Sequence, residues 1–238
     1  MQFKKNIPNA ITSLNLISGC VGILFALRGF TELAAMMIVA AALFDFLDGM
    51  AARLLHVSST IGKELDSLSD LVSFGVLPGA LVFVMLELRA PVWFYYFALL
   101  IPVFSAIRLA KFNLDTRQSE SFLGLPVPAN ALFWVGITYI NLMAGETHMN
   151  LILKSIVGQP LIIIMLTVFL SLLLVSELPL FSLKFKNLEW GKNQIRYIFL
   201  GLAMILLIWL GVSSLPMIIV LYVLLSIFAN LKTFKHAD

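Results

Sequence analysis

Four aspartates, Asp45, Asp48, Asp66 and Asp70, stand in a stretch bordered by strongly apolar runs. Asp45 and Asp48 are three residues apart and Asp66 and Asp70 four apart, spacings that put each pair on one face of its own helix. A short connection separates the pairs, so the two helices are expected to be antiparallel neighbours with their acidic faces meeting. An ionisable residue at the centre of a membrane span costs roughly 2.5–3.5 kcal/mol, and less toward the ends, so such a cluster needs compensation. Basic side chains, water in an open cavity and bound divalent cations are the candidates. Arg53 and Lys63 are the nearby cations and leave a surplus of negative charge. One aspartate at a helix end is ordinarily a solvated cap, but four converging ones are not explained that way. Ligation by carboxylate oxygens alone suits Mg2+, Mn2+ or Ca2+, and Mg2+ commonly keeps waters and bridges to substrate phosphates. The four aspartates therefore predict a site for one or two divalent ions.

The elements that must hold these residues are membrane helices. The chain has 238 residues, 61% hydrophobic and 12% charged, against about 25% charged in soluble domains, and its mean hydropathy is +0.99. Soluble-enzyme readings are excluded. Eight segments approach the roughly 20 apolar residues that cross a hydrocarbon core: 10–28, 31–52, 66–87, 91–110, 127–144, 158–176, 194–211 and 214–231. Their continuous apolarity lacks the alternation of barrel strands. The expectation is an all-α integral membrane bundle of about eight transmembrane helices. Cytoplasmic loops are enriched in Lys and Arg. With the N-terminus inside, thirteen basic residues fall on the inner side and three, Arg28, Arg89 and Lys154, on the outer. Both termini are thus expected to be cytoplasmic, with the aspartates near the cytoplasmic face of the cell membrane. Residues 1–9 fit a short amphipathic lead-in along the inner interface, and the first apolar run reads as a retained span. Cys20 stands alone, which excludes an intrachain disulfide or a cysteine metal cluster. A formal charge of +3 with scattered cations argues against nucleic acid as a partner.

Residues 45–70 read D-F-L-D-G-M-A-A-R-L-L-H-V-S-S-T-I-G-K-E-L-D-S-L-S-D. Gly49 and Ala52 thin the helix surface beside the carboxylates and permit close approach of a ligand. The stretch resembles the signature of the CDP-alcohol phosphatidyltransferase family, D-x-x-D-G-x-x-A-R, a gap, then G-x-x-x-D-x-x-x-D. All eight fixed positions are present: Asp45, Asp48, Gly49, Ala52, Arg53, Gly62, Asp66 and Asp70. The resemblance implies a membrane enzyme with six core spans that transfers a phosphatidyl group from a CDP-linked lipid to an alcohol and releases CMP. It implies metal ligation by Asp45, Asp48 and Asp66. Asp70 would contact a second metal and serve as general base, giving two Mg2+ or Mn2+ ions per site. Gly49, Ala52, Arg53 and Gly62 would hold the CDP moiety, and Asn9 and Thr12, in N-I-P-N-A-I-T at 6–12, would face the nucleotide. Metals neutralise a pyrophosphate by Lewis-acid stabilisation, and a carboxylate such as Asp70 is a plausible base for an attacking hydroxyl. On this reading residues 1–238 form one domain, with a core at 1–176 and added spans at 194–231. Homodimers are usual in the family.

A second polar cluster runs through Arg108, Lys111, Asn113, Asp115, Arg117, Gln118, Ser119 and Glu120 to Gly124-Leu125-Pro126-Val127-Pro128-Ala129. An amino-acid acceptor needs a cation for its carboxylate, and a planar guanidinium matches one better than an ammonium does. Arg108 is the first candidate. The pieces A-I-R-L-A-K-F-N at 106–113, F-x-G-L-P-x-P-A at 122–129 and D-S-L-S-D-L-V-S-F-G-V-x-P at 66–78 resemble the phosphatidylserine synthase branch of the family. That branch implies CDP-diacylglycerol and L-serine as substrates, with Arg108, Lys111 and Asn113 shaping the serine pocket. Glycerol 3-phosphate or inositol as acceptor, and a divalent cation transporter using the same carboxylates, remain the competing readings.

Overall fold

Apolar runs separated by glycine, proline and short polar turns become ten helices in the computed structural model of the chain, which describes residues 2–57, 59–114, 121–142, 148–183 and 189–235. Helix α1 (Gln2–Leu27) is continuous through Pro8, so residues 2–9 belong to the first helix and are not a separate interfacial segment. It returns through α2 (Thr31–Leu54). The third span is longer than its apolar stretch. Helix α3 (Thr60–Asp70) passes through a π-helical turn, Leu71–Val76, into α4 (Leu77–Glu87). Its start is set by Ser59, whose Oγ accepts the Gly62 N–H at 2.9 Å as an N-cap. A 3-10 turn, Phe94–Leu99, then leads into α5 (Leu100–Leu114), and α6 (Val127–Leu142) follows.

The segment before residue 158 is not a plain loop. It contains α7 (His148–Val157), bent by 71° from α8 (Pro160–Val175). Gln159 precedes a proline and is therefore extended, with ψ 125°, which breaks the helix there. Helices α9 (Trp190–Leu210) and α10 (Leu215–Lys235) fold back on each other at a 3-10 turn, Gly211–Ser214. Phe199 of α9 and Tyr222 of α10 have ring centroids 5.6 Å apart.

Over the described residues each of the eight apolar segments is mainly helical. By length and composition five helical stretches among the described residues could cross a membrane, or six with the bent pair, while α6 is shorter. Trp134, Phe74, Leu77, Leu81 and Ile137 are among the large side chains at the centre of the packing.

A two-stranded antiparallel sheet, β1 (Ser121–Leu123) with β2 (Pro179–Phe181), was not expected from the apolar pattern. It fixes the segment that precedes α6. Gly124 then turns with φ +75°, its N–H donating to the Leu178 carbonyl at 2.9 Å, and Leu125 N–H donates to Leu173 O at 3.0 Å. Behind the sheet, one face of α10 supplies three hydrogen bonds: Tyr222 Oη to Phe181 O at 2.9 Å, Phe181 N to Ser226 Oγ at 3.4 Å, and Asn230 Nδ2 to Pro179 O at 2.6 Å. Residues 222, 226 and 230 recur every four positions, so they form one stripe. The last helix thus holds the strap that leads into Pro126 and Pro128. A Cβ on Gly124 would lie 2.5 Å from Leu174 O and 2.8 Å from Ser176 O. Gly124→Ala is therefore expected to destabilise the protein by about 2 kcal/mol or more, read as a lowered melting temperature in detergent.

Candidate active site

Helix α2 delivers Asp45 and Asp48 three residues apart near its end, and α3 delivers Asp66 and Asp70 four apart. Helix α1 packs against both. Each of Asp45, Asp48 and Asp66 offers a carboxylate oxygen, and these three atoms lie within 4.8 Å of one another. Ligand oxygens across an octahedral Mg2+ are about 4.2 Å apart, and those around Ca2+ reach about 5 Å. The trio is therefore spaced so that one divalent ion could reach all three carboxylates. Three hard carboxylate donors in one half-buried cluster fit a divalent metal.

Asp70 stands apart from that trio. Asn15 of α1, fully buried, donates from Nδ2 to Asp70 Oδ1 at 3.2 Å. One turn earlier, Thr12 donates from Oγ1 to Asp48 Oδ2 at 2.6 Å. Two serines of the third span bind the α1 backbone from the other side: Ser69 Oγ donates to Thr12 O at 3.3 Å, and Ser73 Oγ to Asn15 O at 2.9 Å. A Cβ on Gly19 would come within 2.9 Å of the Ser73 Cα, so the helices meet here almost backbone to backbone. Asn15, Ser69 and Ser73 carry no role in the sequence reading, although a buried asparagine in an apolar run is a signal that could have found the first. The π-helical turn begins one residue after Asp70, a placement common at functional sites.

Two cavities flank the carboxylates. One, of about 260 Å3, is lined by Asn9, Thr12, Asp48, Gly49, Ala52, Gly62, Lys63 and Asp66, with Pro8, Val57 and Ser59. It gathers five of the six residues expected at the nucleotide. The sixth, Arg53, is exposed beside it and donates from Nε to Gly49 O at 2.9 Å. A Cβ on Gly62 would sit 2.8 Å from Asn9 Oδ1, so glycine there makes room for the asparagine amide. Around a Cβ on Gly49 the nearest atom is Arg53 Nη2 at 3.9 Å, which leaves that side open to a ligand.

The other cavity, of about 290 Å3, is lined by Asp45, Asp70, Arg108, Leu109, Phe112, Pro126, Val127 and Pro128. Each acidic helix therefore gives one carboxylate to each cavity. Arg108 is buried, with its Cζ 5.4 Å from the centre of the Phe112 ring. Lys111 is exposed, and Asn113 donates from Nδ2 to Ser67 Oγ at 2.9 Å, tying the end of α5 to α3. Neither lines this cavity. Asp115, Arg117, Gln118, Ser119 and Glu120 lie outside the described residues. Among the described residues Glu32 and Glu87 sit at helix ends and Glu177 just beyond α8, which gives an ion path no steps through the bundle there.

Comparison with known proteins agrees with this geometry. A Helicobacter pylori (strain J99) protein named CDP-diacylglycerol--serine O-phosphatidyltransferase is 30% identical over 217 residues, covering 81% of this chain and 91% of its own. A Bacillus subtilis protein of the same name is 33% identical over 189 residues, 78% of this chain and 97% of its own. The Mycobacterium tuberculosis protein of that name is 37% identical over 147 residues, 59% of this chain, and the match spans only about half of its length, 51%. The sequence profile described as CDP-alcohol phosphatidyltransferase matches residues 5–228, from the first helix into the last. With the match running through both cavities and the strap behind them, the chain belongs to the CDP-alcohol phosphatidyltransferase family.

Proposed function

We propose that this protein transfers the phosphatidyl group of CDP-diacylglycerol to the hydroxyl of L-serine, giving phosphatidylserine and CMP. The observation that carries the reading is the carboxylate wall between a glycine-lined cavity and a cavity containing a buried arginine. The nucleotide occupies the first, against Asn9, Thr12, Gly49, Ala52 and Gly62, with Arg53 at its edge. Serine occupies the second, its carboxylate on Arg108. Asp45, Asp48 and Asp66, with Asp70 at the second, would hold two Mg2+ or Mn2+ ions, which would supply neutralisation of the pyrophosphate charge.

Asp70 takes the proton of the serine hydroxyl as its oxygen bonds to the phosphatidyl phosphorus, and the bond from that phosphorus to CMP breaks. Asn15 fixes Asp70 through one oxygen and leaves the other for that proton. Thr12 holds Asp48 in register with the nucleotide cavity. Lys111 and Asn113 support the serine side from outside the cavity wall, Asn113 through α3. Glycerol 3-phosphate carries a second, dianionic group, and among the described residues Arg108 is the one cation lining the acceptor cavity. That favours serine.

The proposed setting is a cell membrane crossed eight times by a single domain, 1–238, with a core at 1–176, added spans at 194–231 and both termini cytoplasmic. In support, Arg89 Nη1 donates to Asn141 Oδ1 at 2.9 Å, and Gly158 lies near both, so these loops gather at one end of the bundle. A homodimer is the proposed assembly. Purified protein given CDP-diacylglycerol and Mn2+ or Mg2+ is tested against serine, inositol and glycerol 3-phosphate. CMP release with serine is the expected result. Release with another acceptor alone would move the specificity, and none with any acceptor would end the reading.

A further inference from the structure

The acceptor cavity has an asparagine behind its wall that the mechanism above does not use. Asn130, in the first turns of α6, is 1% exposed, and neither its Oδ1 nor its Nδ2 has a hydrogen-bond partner among the described residues. Buried amides in native proteins are nearly always satisfied, and an exception marks a water, ion or ligand that belongs there.

Where the amide lies narrows the choice. Side chains on a helix lean toward its N-terminus and cover the preceding turn. For Asn130 that turn is Pro126 and Val127, both of which line the cavity with Asp45, Asp70 and Arg108. The turn is fixed, because Asn130 N–H donates to Pro126 O at 3.1 Å. Among the other buried polar atoms without partners among the described residues are Ser105 Oγ of α5, one turn deeper than Arg108, and Asn15 Oδ1 of α1. Helices α1, α5 and α6 all pack on the π-helical turn that follows Asp70. Asn130, Ser105 and Asn15 thus stand on the three helices that pack around this turn, beside the cavity that Asp70 lines.

An α-amino acid carries on one carbon a carboxylate, which only accepts, and an ammonium, which only donates. Arg108 offers donors alone and suits the carboxylate. The ammonium needs an acceptor that is neither claimed by a metal nor receiving the reacting proton, and an amide oxygen is one. We propose that Asn130 Oδ1 binds the ammonium group of the amino-acid acceptor, making Asn130 a specificity-determining residue. This inference rests on the reading of the acceptor as serine.

The full chain is assayed with L-serine and with 3-hydroxypropionate, which keeps the hydroxyl and carboxylate and lacks the ammonium. Wild type should prefer serine strongly. Asn130→Leu should raise the KM for serine about tenfold or more, leave the KM for CDP-diacylglycerol unchanged and leave the use of 3-hydroxypropionate unchanged. Asn130→Asp, which keeps an acceptor oxygen, should retain most serine use. Equal losses with both acceptors would assign Asn130 a structural or water-holding role and overturn the inference. So would wild type that uses 3-hydroxypropionate as well as serine, a measurement that stands even where Asn130→Leu does not fold. Wild type inert toward serine overturns the serine reading itself, and this inference with it. Active wild type whose Asn130 variants behave like it overturns the inference alone.

Discussion

Asp70→Asn is expected to lower CMP release roughly a thousandfold, the scale of losing a positioned general base, while Mn2+ affinity at the site held by Asp45, Asp48 and Asp66 changes little. The carboxylate oxygens of Asp45, Asp48 and Asp66 already lie within 4.8 Å of one another without Asp70. Asp70 instead accepts a hydrogen bond from Asn15 and faces the acceptor cavity with Arg108. An asparagine keeps the shape and can still meet the Asn15 amide through its oxygen, but it cannot take a proton. Asp48→Asn should behave differently, losing both turnover and Mn2+ affinity, the latter by about a hundredfold, since even partners of metal ligands are worth 10–100-fold. Titration calorimetry with Mn2+ beside a CMP-release assay separates the two variants. Equal losses of Mn2+ affinity in both would contradict the division of roles.

Arg108→Lys should raise the KM for serine by about 10–100-fold, the range for one charge-assisted hydrogen bond, and leave the KM for CDP-diacylglycerol near its starting value. Lysine retains the charge but has a single ammonium in place of a planar fork, so it cannot meet a carboxylate with two parallel bonds. Nor can it lie on the Phe112 ring as the guanidinium does, 5.4 Å from its centre. Arg108→Gln should do more harm, because it leaves the substrate carboxylate in a cavity with Asp45 and Asp70 and no countercharge from this side chain. Initial rates at varied serine with saturating donor decide it. A rise in the donor KM of the same size would place Arg108 at the nucleotide instead.

The parts of the site legible in the sequence are those governed by helical period. Spacings of three and four fix which face a residue takes, and Asp45, Asp48 and Asp66 meet as that period requires. Gly49, Ala52 and Gly62 follow because they share those faces. Arg108 was legible for a different reason, as a guanidinium able to meet an acceptor carboxylate in a segment that resembles the serine branch of the family. Asn15 was passed over because one amide in a long apolar helix hardly alters its hydropathy. The early start of α3 was hidden by polar residues that carry the helix beyond its apolar stretch, with a serine cap that hydropathy does not register. The bend at Gly158-Gln159-Pro160 is set locally by the proline, which hydropathy does not register, and the strand pair 121–123 with 179–181 depends on contact between segments far apart in the chain, which periodicity within one segment does not encode.

Because the acidic residues divide two chambers, a small molecule that fills one leaves the other vacant. Blocking compounds of two independent kinds should exist, nucleotide mimics and amino-acid mimics, and their effects should multiply when both are present. A bisubstrate inhibitor would have to thread between Asp45 and Asp70 on one side and Asp48 and Asp66 on the other, so its linker, more than either head group, would set its potency.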